Sequence, residues 1–215
     1  MVRVKICGLT QVEHAVAAGE AGADFLGVVF AQSRRQVTAE RALEIVEAVR
    51  AIDPRPDVVG VFVNAPAADV NRTARACRLG VVQLSGDEGI EYALGIERPV
   101  IKVIHIMPQS TATAVLTEVD RWYEAVRKPN FHCLLDAAAD GIYGGTGKTF
   151  DRGIAREVAF HYPVIIAGGL TVENVAELVK DVKPWGVDVS SGVETNGQKD
   201  TEKIGAFIRA VWNAE

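Results

Sequence analysis

The feature that most constrains this chain is an alternation kept up from one end to the other, in which a short β-branched run is followed by a longer stretch with apolar residues at helical spacing. That rhythm predicts βαβ units. The runs expected as strands are Val2 to Cys7, Phe25 to Phe30, Val58 to Val63, Val81 to Leu84, Val100 to Ile104, Phe131 to Leu135, Val164 to Ala167 and Val187 to Val189, eight in all. Eight strands, each leading toward a helix, is the number a closed parallel barrel needs. A doubly wound open sheet would normally carry one glycine fingerprint after its first strand, whereas glycine and polar clusters here recur at several strand ends. The expected fold class is therefore α/β, a single (βα)8 TIM barrel. At 215 residues the chain is near the lower end for that fold and long enough to bury one core, so one domain over residues 1–215 is expected.

The helices show their inward faces and some of their caps. Thr10 with Glu13 has the spacing of a capping box. Ala42, Ile45, Val46 and Val49 mark a second helix, and Val70, Ala74 and Cys77 share the face of a third that starts near Pro66. Ile90 to Ile96 is weakly periodic. Ser110 precedes a helix with Val115, Val119, Trp122 and Val126 inward, and Thr171 is placed to cap one with Val175, Leu178 and Val179 inward. Ile204, Phe207, Ile208 and Val211 mark the last. Between Asp136 and Lys148 the chain is rich in glycine and small residues without either period, and Asp151 reopens helix; such a segment predicts a functional loop, with Ala137 to Gly147 as a lid over substrate.

Bulk properties exclude several partners. The formal net charge of -5 argues against nucleic acid, and the nearest thing to a basic stripe, Arg72, Arg75 and Arg78, sits at helical spacing among alanines as a solvated face would. No apolar run reaches membrane-spanning length. Cys7, Cys77 and Cys133 are too few and scattered for a disulfide framework, and neither they nor His14, His105, His132 and His161 have metal-ligand spacing. The amino terminus opens on a strand without a signal-peptide core. A reducing, cytoplasmic setting with no cofactor is expected, as a monomer or homodimer.

In such barrels chemistry sits where an apolar strand stops at something reactive. Gly168-Gly169 and Ser190-Ser191-Gly192 follow the seventh and eighth strands, where small residues let a phosphate approach backbone N–H groups near a helix start. A tight strand-to-helix turn has the same composition, but two such clusters on adjacent strands point to a phosphorylated small molecule. Cys7 ends the first strand just before Gly8; a thiolate near a helix N-terminus is stabilised and serves as base or nucleophile, although a buried structural thiol is the commoner role for cysteine. Asp136 ends an apolar strand beside the glycine-rich loop, where partial desolvation suits a carboxyl to donate a proton, or where it simply caps a turn. Cys77 and Cys133 read as core.

Taken in order, Lys5-Ile6-Cys7-Gly8-Leu9-Thr10, Gln83-Leu84, Leu134-Leu135-Asp136, Gly144-Gly145-Thr146-Gly147-Lys148-Thr149-Phe150-Asp151, Ala167-Gly168-Gly169-Leu170 and Asp188-Val189-Ser190-Ser191-Gly192-Val193-Glu194 run essentially end to end through the chain. On these motifs the sequence resembles the phosphoribosylanthranilate isomerase family of tryptophan biosynthesis. The resemblance implies a cofactor-free Amadori rearrangement, with Asp136 protonating the ribose ring oxygen and Cys7 removing the C2 proton. It also implies that Arg35, after the second strand, meets the anthranilate carboxylate, and that Asp188 faces the substrate amino group unless it is structural. Three departures stand out: Ser85 where the family usually has histidine, Arg152 where it usually has tryptophan, and a loop from Ala31 to Arg35 one residue short, which leaves Arg34 as a rival to Arg35. The histidine-pathway sugar isomerase of the same fold has aspartate in place of Cys7, and a purely binding barrel has no need of an acid and a base.

Overall fold

The computed structural model describes residues 1–137 and 152–215. Eight parallel strands close a barrel in chain order: β1 (Arg3–Cys7), β2 (Phe25–Val29), β3 (Asp57–Phe62), β4 (Val81–Leu84), β5 (Val100–Ile106), β6 (His132–Ala137), β7 (Ile165–Ile166) and β8 (Gly186–Val189). Closure comes from β1 pairing with β8, Lys5 beside Asp188. Outside lie α1 (Val12–Glu20), α2 (Ala39–Ala48), α3 (Ala67–Ala76), α4 (Ile90–Leu94), α5 (Ala112–Ala125), α6 (Arg152–His161), α7 (Val175–Val182) and α8 (Thr201–Trp212). The loop, lid and helix start expected beyond Ala137 and up to Asp151 lie outside the described residues.

Strand alternation sorts the side chains into two cores. Val59, Val81, Ile101, Val103, Leu134, Ile165 and Ala167 fill the barrel interior, with Phe25 and Trp185 beneath them. His132 stacks on Trp185 with ring centroids 3.8 Å apart, closing the end where the strands begin. The opposite strand faces pack against the helices, whose predicted faces are buried: Val175, Leu178 and Val179 on α7, and Ile204, Phe207, Ile208 and Val211 on α8. Each such residue contributes about 1.5–3 kcal/mol by leaving water. Cys77 and Cys133 belong to this outer core. Arg72, Arg75 and Arg78 form exposed ion pairs with Asp69, Glu97 and Glu47, as a solvated face does.

Several local expectations fail for identifiable reasons. The Thr10–Glu13 box does not form, because α1 starts at Val12 with Gln11 at its N-cap and no side-chain cap bond. The Gly8 and Leu9 amides both donate to the Gly27 carbonyl and Leu9 is fully buried, so the chain stays tied to β2 for longer. Thr171 does not cap α7: the Asn174 side chain bridges the turn, accepting from the Thr171 amide at 2.8 Å and donating to the Gly169 carbonyl at 2.9 Å. Thr111 rather than Ser110 caps α5, accepting from the Ala114 amide. Pro66 precedes α3 instead of entering it. β5 runs on through His105 to Ile106 and β6 through Asp136 to Ala137, which pairs His105 with Asp136. After β8 a 3₁₀ turn, Ser191–Val193, leads into an unexpected hairpin of β9 (Glu194–Thr195) and β10 (Gln198–Lys199).

Candidate active site

The C-terminal ends of the strands open into one cavity of about 520 Å³. Cys7 reaches it from the last position of β1, Asp136 from β6 and Asp188 from β8. Gly168, Gly169, Ser190 and Ser191 enter from the loops after β7 and β8, and Arg35 from the loop after β2. Of the nine residues given catalytic or binding roles from the sequence, Gly192 alone is not in the wall. A Cβ on it would stand 1.8 Å from the Leu170 carbonyl oxygen, so this glycine lets the 3₁₀ turn press backbone to backbone on the preceding loop. Gly168 and Gly169 hold φ of 93° and 65°, the left-handed region that glycine enters without strain.

Cys7 stands opposite Gly27 in the β1–β2 ladder. A Cβ on Gly27 would lie 2.9 Å from the Cys7 sulfur and 3.2 Å from Lys5 Nζ, so the bare glycine makes room for both groups. Lys5 Nζ donates to Asp188 Oδ1 at 2.9 Å, with the Lys5 side chain fully buried. Burial works against the Lys5 ammonium, yet Asp188 and Cys7 hold its pKa above the ordinary lysine value. The Cys7 thiol is pushed up by burial, pulled back by the charge and hydrogen bond of Lys5 and by Lys199, and pushed up again by Asp188. Its net displacement is upward. This corrects the expected helix-end depression of Cys7: α1 begins only at Val12, and desolvation dominates. Asp188, left open between substrate contact and structural use, lines the cavity while one of its oxygens is bonded to Lys5.

Arg35 and Arg34 are separated by the fold. The Arg35 guanidinium donates through Nε and Nη2 to the two oxygens of Glu194 at 2.7 and 3.1 Å, and its side chain is 16% exposed at the cavity wall. Arg34 also reaches Glu194, at 2.7 Å, but from solvent, 57% exposed and outside the wall. Gly8, at φ 79°, is crowded by Arg35: a Cβ there would lie 2.4 Å from the Arg35 Cδ. Lys199 Nζ meets the same carboxylate at 2.9 Å and the Ser190 carbonyl at 2.8 Å. Burial alone would raise the Glu194 carboxyl, but the bonds from Arg35 and Lys199 bring it down to about 2. Lys199, largely buried, is held below its ordinary value by desolvation against the pull of Glu194.

Sequence reasoning assigned no role to Glu194, Lys199, Lys5, Gln83 or His105. Alternation was the available signal for two of them, since Lys5 shares the inward face with Cys7, and Gln83 follows Val81 inward. Asn196-Gly197, with φ of 53° and 79°, is a hairpin signal that would have brought Lys199 back beside Glu194. Gln83 Nε2 donates to Ser85 Oγ at 3.0 Å, while its Oε1 is buried without a hydrogen-bond partner among the described residues. His105 Nε2 lies 3.0 Å from the Ser85 carbonyl oxygen, so an imidazole enters the wall from β5, beside the Ser85 that follows β4.

Comparison with known proteins adds to this geometry. The family model described as N-(5'phosphoribosyl)anthranilate (PRA) isomerase matches residues 4–210. The chain is 50% identical to the N-(5'-phosphoribosyl)anthranilate isomerase of Dehalococcoides mccartyi, covering 100% of this chain and 98% of that one. Its fold is similar to the crystal structure of phosphoribosyl anthranilate isomerase from Thermotoga maritima, with a TM-score of 0.85, 35% identity, and 99% and 100% of the two chains covered. A crystal structure of such an isomerase in complex with reduced 1-(o-carboxyphenylamino)-1-deoxyribulose 5-phosphate is similar at TM-score 0.81 and 33% identity, over 99% and 100% of the chains.

Proposed function

The chain belongs to the N-(5'-phosphoribosyl)anthranilate isomerase family, and from that premise we propose that Cys7 and Asp136 divide the proton transfers of its reaction. The reaction is the Amadori rearrangement of N-(5'-phosphoribosyl)anthranilate to 1-(2-carboxyphenylamino)-1-deoxyribulose 5-phosphate in tryptophan biosynthesis. Asp136 gives a proton to the ribose ring oxygen as the C1–O bond breaks, and the nitrogen lone pair forms the C1=N iminium. Cys7 then takes the C2 proton. The electrons of that bond form the C1=C2 enolamine and return the nitrogen to neutrality; loss of the enol proton and protonation at C1 give the ketone.

One observation carries this reading: Cys7 and Asp136 face a single cavity from β1 and β6, flanked by Arg35 on one side and the Gly168, Gly169, Ser190 and Ser191 loops on another. The loops offer backbone amides and small side chains suited to the substrate phosphate, and the guanidinium of Arg35 suits the anthranilate carboxylate. Gly192 serves the same site by letting the two phosphate loops meet. The whole chain is read as one catalytic domain, and its three free cysteines fit a reducing cytoplasmic setting.

Decay of anthranilate fluorescence, as freshly made phosphoribosylanthranilate is consumed, tests the assignment. Cys7→Ser and Asp136→Asn should each lose most turnover while binding a reduced product analogue within about tenfold of the parent. Near-normal kcat in either folded variant removes that residue from the mechanism.

A further inference from the structure

Lys5 is a fully buried cation that the reaction as described does not use. Valine, isoleucine, leucine and alanine fill most of the barrel interior below it, and the other buried polar side chains facing inward nearby, Gln83 and Asp188, line the cavity as Lys5 does not. Burying an ammonium and ordering its long stem are both costly, and an ion pair with Asp188 at best offsets that cost. The second group that acts on the Lys5 ammonium is the base, through charge and hydrogen bonding. Its Nζ and the Cys7 sulfur both crowd the one position of Gly27, at 3.2 and 2.9 Å from a Cβ built there. Lys5 is not among the residues of the cavity wall, whereas Cys7 and Asp188 both line it.

We propose that Lys5 is a positioning residue whose ammonium, shared between the Cys7 sulfur and the Asp188 carboxylate, keeps the Cys7 thiolate accessible to the proton-transfer step and holds Asp188 toward the cavity. The proposal rests on the reading of Cys7 as the base. A lysine has three donors, enough for a carboxylate and a thiolate at once. When Cys7 loses its proton inside the barrel, the new charge forms beside a cation already in place, so no large reorganisation is needed. Among the described residues the charged groups that act most on the sulfur are Lys5 on β1, Asp188 on β8 and Lys199 on β10, with Arg35 and Asp136 in the same cavity wall; the β2 residue opposite it is Gly27. Lys199 is bonded to Glu194, which Arg35 also neutralises, and Asp188 opposes thiolate formation, so Lys5 is the principal favourable charge.

The test reads Cys7 directly, on the full chain and without turnover. The rate of alkylation of Cys7 by iodoacetamide is followed against pH by peptide mass spectrometry, which separates it from buried Cys77 and Cys133. Lys5→Met and Lys5→Gln should move the midpoint upward by about one pH unit or more, slowing alkylation about tenfold below the midpoint. The ascending limb of kcat/KM should move with it, with KM changing less than kcat. Should Lys5→Met fail to fold because Asp188 is left unpaired, Lys5→Gln keeps a donor to it, and the double variant Lys5→Met with Asp188→Asn removes the stranded charge. An unchanged or lowered midpoint in a folded variant overturns the proposal, as does failure of all three to fold, which makes Lys5 structural. Retained turnover in Cys7→Ser would instead overturn the base assignment, with the alkylation shift unaffected.

Discussion

Replacing Glu194 by glutamine keeps the shape of the side chain and removes the charge on which Arg35, Arg34 and Lys199 converge. The Glu194 side chain is only 6% exposed, and its carboxyl is brought from 4.5 to about 2 by the bonds from Arg35 and Lys199 against the effect of burial. At about 1.4 kcal/mol per pH unit, a displacement of that size corresponds to at most about 3 kcal/mol of folding stability near neutrality, and solvent screening on the Arg34 side brings it to about 1–3 kcal/mol. The sign follows from linkage. A carboxyl depressed in the folded state stabilises above its unfolded value, and the contribution fades as pH falls from about 4.5 toward about 2. Glu194→Gln should therefore lose about 1–3 kcal/mol at pH 7 by urea unfolding, and the gap to the parent should shrink to about half of that or less by about pH 3. Loosening of Arg35 should raise KM in the same variant. A loss under about 1 kcal/mol at pH 7, or a gap that does not change with pH, would refute the argument that the cations hold this carboxylate.

Arg35→Ala should raise KM more than it lowers kcat, while Arg34→Ala, on the solvent side of the same carboxylate, should change KM by no more than about threefold; steady-state fluorescence assays decide, and a larger defect in Arg34→Ala would reverse the assignment. Gly192→Ala sets a Cβ against the Leu170 carbonyl at 1.8 Å, so the two loops must part. It should cost about 1–3 kcal/mol in thermal or urea unfolding and weaken competitive inhibition by inorganic phosphate, and unaltered inhibition would count against a phosphate site at these loops.

The barrel was legible in the sequence because strand and helix periods are local and repeat. Residues two apart share a strand face whatever surrounds them, so Cys7 and Asp136 could be placed at strand ends, and Arg35 and the glycine-serine loops beyond them, from the sequence, whereas Asp188, inside its strand, was marked only by the family resemblance. Caps were less legible. Thr10 and Thr171 have capping chemistry, but a buried Leu9 tied to β2 and the Asn174 bridge decide where each helix begins. Longer-range electrostatics were not legible at all. Nothing near Cys7 in sequence announces that closure of β1 on β8 brings Asp188 to Lys5, or that the Asn196-Gly197 turn carries Lys199 back to the Glu194 that holds Arg35. The pattern of apolar residues determined which side chains point into the barrel, since that depends on backbone period alone. Only the closed tertiary structure decided the charge state around them, because burial and ion pairing depend on groups as far apart as Lys5 and Asp188 meeting across the seam of the sheet.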